Sequence, residues 1–99
     1  MTVGELDEVQ YDLEVDGEQV RRQLGRKIWE TRGWATVAVV FQDRDKAGEW
    51  KPAKLALLKF RRIHEVWKKE SSINLDGADA LVLGELIAGD WRAALATSC

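Results

Sequence analysis

An α+β fold, a curved antiparallel sheet of about four or five strands followed by a C-terminal helix that dimerises, is predicted by three features of the 99-residue sequence. Val37, Val39 and Phe41 alternate with Ala38, Val40 and Gln42, the mark of a strand buried on one face and partly covered on the other. Asp45-Lys46-Ala47-Gly48 then makes a turn, and the apolar run Leu55 to Phe60 beyond it is the natural return strand. After Leu75 comes an apolar stretch with helical spacing.

At this length a single domain is expected, here spanning residues 9–95, with residues 1–8 frayed. The chain is 45% hydrophobic and 32% charged with one proline, which places it among folded rather than disordered sequences. MTVGELDEVQ is acidic and lacks the apolar segment of a signal peptide, and no run approaches the ~18 apolar residues of a membrane span. The one cysteine, Cys99, cannot close an internal disulfide or build a cysteine zinc site. A cytoplasmic, reducing setting without membrane contact is therefore expected, with no metal and no cofactor.

Val9, Tyr11, Leu13 and Val15 alternate with Gln10, Asp12, Glu14 and Asp16, which reads as a half-buried strand. Asp16-Gly17 is a two-residue hairpin signal, because both central positions of such a turn take positive φ. Gln19 to Thr31 fits either a helix, through Val20, Leu24 and Ile28, or a strand bent at Gly25. The glycine and the preceding turn favour the bent strand. Gly33 turns the chain into the strand around Val39.

Beyond Pro52 two readings stand. As a strand, Ala56, Leu58 and Phe60 share one face. As a helix begun at Pro52, Ala56, Leu57, Phe60, Ile63, His64 and Trp67 form an apolar stripe. The need of the strand Thr36 to Phe41 for a neighbour favours extended structure, followed by a turn near His64-Glu65 and a last strand from Val66 to Leu75. Asp76 is a helix N-cap with Asp79 three residues on. Ala80, Leu83, Gly84, Ile87 and Trp91 form one face of the helix, and Leu81, Val82 and Leu86 make most of the rest apolar. That helix needs cover on two sides, the sheet and a second copy of itself, which makes Leu83, Leu86 and Ile87 the candidate dimer contacts.

The formal net charge of −2 conceals a segregation. Residues 1–18 hold seven acids and no base, whereas residues 19–70 hold fourteen bases and six acids, a net charge of +8. An anionic partner for the middle segment follows. Five tryptophans accompany these bases. Trp29 and Trp91 read as core residues, while Trp34, Trp50 and Trp67 lie at strand ends or on basic runs. Rings interleaved with cations point to single-stranded DNA or RNA, DNA before RNA. The candidate contacts are Lys51, Lys54, Lys59, Arg61, Arg62, Lys68 and Lys69 for phosphates, with Trp34, Trp50 and Trp67 under bases. The alternative is a small dimeric interaction module whose basic sheet faces an acidic protein.

Gly48, Glu49, Lys51, Pro52 and Lys54 form a G-E-x-K-P-x-K run after the turn, and Ser72-Ile73-Asn74-Leu75 runs into the helix. With these residues, Gly33 to Ile87 resembles the single-stranded-DNA-binding domain of the transcriptional coactivator positive cofactor four and the related Whirly proteins. The resemblance implies a homodimer packed through helices, with curved sheets that grip unpaired DNA. In the coactivator the Lys-Pro segment passes almost directly into the last strand. Here Leu55 to Lys69 intervenes, closer to the longer path of the Whirly pattern.

Catalytic signals are poor, so no enzymatic activity is expected. The single histidine, His64, could pair only with Ser71, Ser72 or Ser98, none of them in a nucleophile context. No phosphate loop, dinucleotide fingerprint or metal-ligand spacing is present.

Overall fold

Alternation, turns and pairing combine into one curled antiparallel sheet in a computed structural model that describes residues 1–97, so Ser98 and Cys99 lie outside the described residues. The strands are β1 (Thr2–Val3), β2 (Leu13–Val15), β3 (Glu18–Thr31), β4 (Trp34–Asp43), β5 (Lys54–Ile63) and β6 (Val66–Asp76), in the spatial order β1-β6-β5-β4-β3-β2. Two helices follow, α1 (Gly77–Ala88) and α2 (Arg92–Thr97). The six strands exceed the four or five expected, because the chain start adds an edge strand: Thr2 pairs with Lys68 and Val3 with Trp67.

The connections are short because the turn residues adopt the backbone that tight hairpins require. Asp16 and Gly17 both have positive φ, as do Arg32 and Gly33, so β2–β3 and β3–β4 close through two-residue turns. His64 turns β5 into β6 with φ of 59° and takes the place of a left-handed residue at an exposed tip. Residues 54–63 and 66–76 are extended, so the helical reading of that segment is overturned. The strand Thr36 to Phe41 has its partner: Val37 lies opposite Leu58 and Val39 opposite Ala56.

On one face of the sheet Ala35, Val37, Val39 and Phe41 of β4 meet Ala56, Leu58 and Phe60 of β5, all buried. The cover for this face is the N-terminal segment. Leu6, in a short 3-10 turn at Leu6–Glu8, and Val9 are buried in the same cluster, with Val3, Tyr11 and Ile28 packed at its margin. Residues 1–8, expected to fray, instead form this strand and turn, and Val9 and Tyr11 pack as an irregular strap rather than as a strand. Polar ties hold the strap down. Arg26 donates to the carbonyls of Asp7 and Val9 at 3.0 and 2.7 Å, and the Arg21 guanidinium lies over the Tyr11 and Phe41 rings at 5.4 and 4.8 Å. Arg21 also binds Asp43 through two nitrogens, which holds the Asp43 carboxyl below its usual range despite the opposing effect of partial burial.

Two irregularities set which side chains face which way. A bulge at Gln23–Gly25 in β3 leaves Leu24 exposed, and the register of β6 slips by one between its pairings with Lys59 and Phe60, skipping Glu70. A slip of one residue exchanges the faces of every side chain beyond it.

The helix leaves the sheet directly at Asp76, whose backbone is at the N-cap although its side chain makes no capping hydrogen bond. No residue of α1 or α2 is buried. Trp91, expected in the core, is 46% exposed, because the helix projects beyond the sheet rather than lying across it. The contact at the junction is close: a Cβ on Gly77 would sit 2.9 Å from the Ala53 carbonyl oxygen, a backbone atom with little room to move. Gly77→Ala is therefore expected to destabilise the fold by about 1–3 kcal/mol, as overpacking does. Thermal unfolding would show a drop of roughly 4–8 °C per kcal/mol, and an unchanged midpoint would contradict the close approach.

The molecule is thin, 48 × 38 × 17 Å, with a radius of gyration of 15.6 Å against about 13 Å for a compact chain of this length. It exposes 7324 Å². A compact monomer of this mass exposes about 5,700 Å². Exposed apolar side chains gather on the sheet face opposite the strap, at Trp29, Trp34, Val40 and Ile73, and on α1, at Leu81, Val82 and Ile87. No helix among the described residues is long and apolar enough to cross a membrane.

Candidate nucleic-acid interface

Directly opposed residues of antiparallel strands share a face. The register therefore orders the open face into rows running across β3, β4, β5 and β6. The first row is Thr31, Trp34, Arg61 and Lys68, and the second is Trp29, Thr36, Lys59 and Ser71. Lys27, Ala38, Leu57 and Ile73 make the third, and Gly25, Val40, Leu55 and Leu75 the fourth. Beyond the bulge, Arg22 pairs with Gln42 and continues the same face. One end thus carries two tryptophans among three cations, the middle is an apolar floor edged by Lys27, and the other end carries Arg22.

At the first end Trp34 is 38% exposed and Trp29 51% exposed. Lys59 Nζ and Arg61 Cζ stand 5.8 and 5.6 Å from the Trp34 ring centroid, within the range at which a cation is attracted to a ring face. Among the described residues the one ion pair is Arg21 with Asp43, on the other side of the sheet. Lys27, Lys59, Arg61 and Lys68 therefore carry charge with no acid bound to it. The acidic N-terminal segment does not neutralise them, since Leu6, Val9 and Tyr11 hold it on the core face.

The ten residues singled out from the sequence divide between the two sides. Trp34, Lys59, Arg61 and Lys68 come together on the open face. Trp67 is 5% exposed and belongs to the core, so it cannot stack on a base. The pairing of Val3 with Trp67 and the strap residue Leu6 enclose it on a side that periodicity in β6 alone does not disclose. Lys54, opposite Phe41, and Lys69, opposite Phe60, lie on the core face and are half-buried. Arg62 lies opposite Trp67 and over its ring at 5.7 Å, on that same side. Lys51 is exposed in the β4–β5 connection, where its amide donates to the Asp43 carbonyl. The Trp50 ring is occupied already, with the Arg22 and Arg44 guanidiniums over it at 4.1 and 4.5 Å.

Four residues of this face escaped sequence reasoning: Lys27 and Trp29, and the pair Arg22 and Arg44. Trp29 had been assigned to the core. Read from the hairpin Arg32-Gly33 backwards, Thr31, Trp29 and Lys27 share the parity that places them opposite Trp34, Thr36 and Ala38, a signal lost when β3 is read forwards through its bulge.

The remaining chemistry is sparse. His64 stands on an exposed turn, and the other serines of its conceivable pairings, Ser71 and Ser72, are strand residues of β6. Among the described residues no group of three His, Cys, Asp or Glu side chains is placed to hold a metal ion. Comparison of the chain with models of protein families, with characterised proteins and with solved structures returns no match.

Proposed function

We propose that the protein binds single-stranded nucleic acid, DNA before RNA, on the open sheet face, without strong sequence preference and without chemistry of its own. The observation that carries this reading is the combination of exposed Trp29 and Trp34 with Lys27, Lys59, Arg61 and Lys68, none of which has an acidic partner among the described residues. Rings offer π-faces to any unpaired base, and the cations follow the backbone. A duplex hides those π-faces. An acidic protein would use the same cations yet has no need of two exposed rings beside them.

The dimeric state belongs to the same proposal. Leu81, Val82 and Ile87 are exposed on α1, with Leu83 and Leu86 half-buried, so apolar side chains surround nearly the whole helix. The surface in excess of a compact monomer is about 1,600 Å² per chain, enough for a stable interface between two copies with some face left over.

Intrinsic tryptophan fluorescence tests the binding. Mixed-sequence single strands are expected to quench it at low salt and to release at high salt, with a slope of about −3 in log K against log salt for about four neutralised phosphates. Duplex of equal length should bind more weakly. Equal binding of the two forms, or none of either at low salt, would leave the acidic-protein partner as the better account.

A further inference from the structure

We propose that Arg22, Trp50 and Arg44 form a phosphate-binding station at the far end of the open face, so that this face has two anchoring points and a minimum ligand length. The inference rests on the single-strand reading above. Both guanidiniums lie over the Trp50 ring, Arg22 at 4.1 Å and Arg44 at 4.5 Å. Stacking on a ring holds a guanidinium in place while leaving its in-plane donors available.

The surroundings fix the two arginines without neutralising them. Arg22 Nε donates to Gln42 Oε1 at 2.8 Å, and Gln42 Nε2 donates in turn to the Lys51 carbonyl at 3.1 Å. Arg44 pairs with Trp50 in an isolated bridge, and its amide donates to the Val20 carbonyl at 2.9 Å. Its Nε is buried with no acceptor among the described residues, so any contact to a ligand falls to the terminal nitrogens. Among the described residues none of the nearby acids, Asp43, Asp45 and the exposed Glu49, forms an ion pair with Arg22 or Arg44. Asp43 binds Arg21, and Asp45 Oδ1 accepts the amides of Ala47 and Glu49 at 2.9 Å each. Two adjacent cations, held on one ring with no carboxylate between them, are suited to a phosphate.

The station lies on the same side as Trp34, because Arg22 faces Gln42 and Gln42 shares the parity of Trp34 along β4. Eight residues of strand separate Trp34 from Gln42, about 26 Å at ~3.3 Å per residue. A stacked strand spans that with about eight nucleotides at ~3.4 Å each, and an extended one with fewer. Because the Trp50 ring is taken up by the arginines, this end reads phosphates and not bases.

Thymidine strands of four, eight and twelve nucleotides, titrated by fluorescence anisotropy on the full chain, test the idea. The twelve-mer is expected to bind at least tenfold more tightly than the four-mer. Arg22→Gln with Arg44→Gln should remove about tenfold from the twelve-mer, lower its salt slope by about 1.4, and leave the four-mer unchanged. A second measurement needs no variant: a four-mer extended by eight abasic nucleotides, at the 5′ or at the 3′ end, should in one of the two forms recover the length gain. Equal loss for both lengths in the double variant, or no gain from either abasic extension, would overturn the station while leaving single-strand binding at Trp34 intact. No binding of any strand by the wild type would overturn both.

Discussion

Reversing charge at Lys59 and Arg61 together, with Lys59→Glu and Arg61→Glu, is expected to lower the affinity for a mixed-sequence single strand by at least a hundredfold. Both side chains are exposed on the open face beside Trp34, and among the described residues neither is bound to an acid. A hydrogen bond to a charged group contributes about 1.5–3 kcal/mol, so two lost phosphate contacts amount to about 3–6 kcal/mol before the new repulsion is counted. Trp34→Ala should cost less, about 1–3 kcal/mol, the range for one stacked base. The two changes differ in their salt dependence. Charge reversal flattens the slope of log K against log salt, whereas loss of the ring leaves it unaltered. Far-UV circular dichroism of both variants should match the wild type, since neither the cations nor the exposed part of Trp34 belongs to the core. Wild-type affinity in the double reversal would show that the anion, if one binds, sits elsewhere.

Leu81→Glu is expected to convert a dimer to a monomer. Leu81 is 73% exposed in the single chain, on a helix with no buried residue, and it lies beside Val40, Leu55 and Ala80 at the edge of the open face. A leucine so exposed contributes little to the monomer, so its substitution reads chiefly the interface. In the dimer it would be enclosed, and an unpaired carboxylate buried there costs several kcal/mol. Sedimentation of the wild type at micromolar concentration should give twice the 11.2 kDa mass of the chain. Leu81→Glu should give the single mass with unchanged helix content. A wild-type monomer at that concentration would end the argument for pairing through α1, and the helix would need a different partner.

The residues of the sequence determine much of this on their own. Alternation in residues 35–41 and 56–60 determines which side chains of β4 and β5 share a face, since successive side chains of a strand point to opposite sides. Asp16-Gly17 and Gly48 mark their turns through the positive φ they adopt, and the apolar run after Asp76 is the helix. The basic middle segment is legible in the same way, and Lys59, Arg61 and Trp34 stand among its ten candidate residues with nothing in the sequence to set them apart. Tertiary structure decides the rest, because alternation says which residues are together and not which side is covered. Cover comes from residues 1–12, distant in sequence from the strands they bury, and this encloses Trp67 while leaving Trp34 open. The bulge near Gly25 sets the phase of β3 and turns Trp29 and Lys27 outward, a shift of one residue that reverses every side chain beyond it. Lys54 falls on the strapped side because it shares the parity of Ala56, Leu58 and Phe60, and Lys69 because β6 skips Glu70, although their charge suggested the other side. Trp91 is 46% exposed because no residue of α1 or of the described α2 is buried against the sheet.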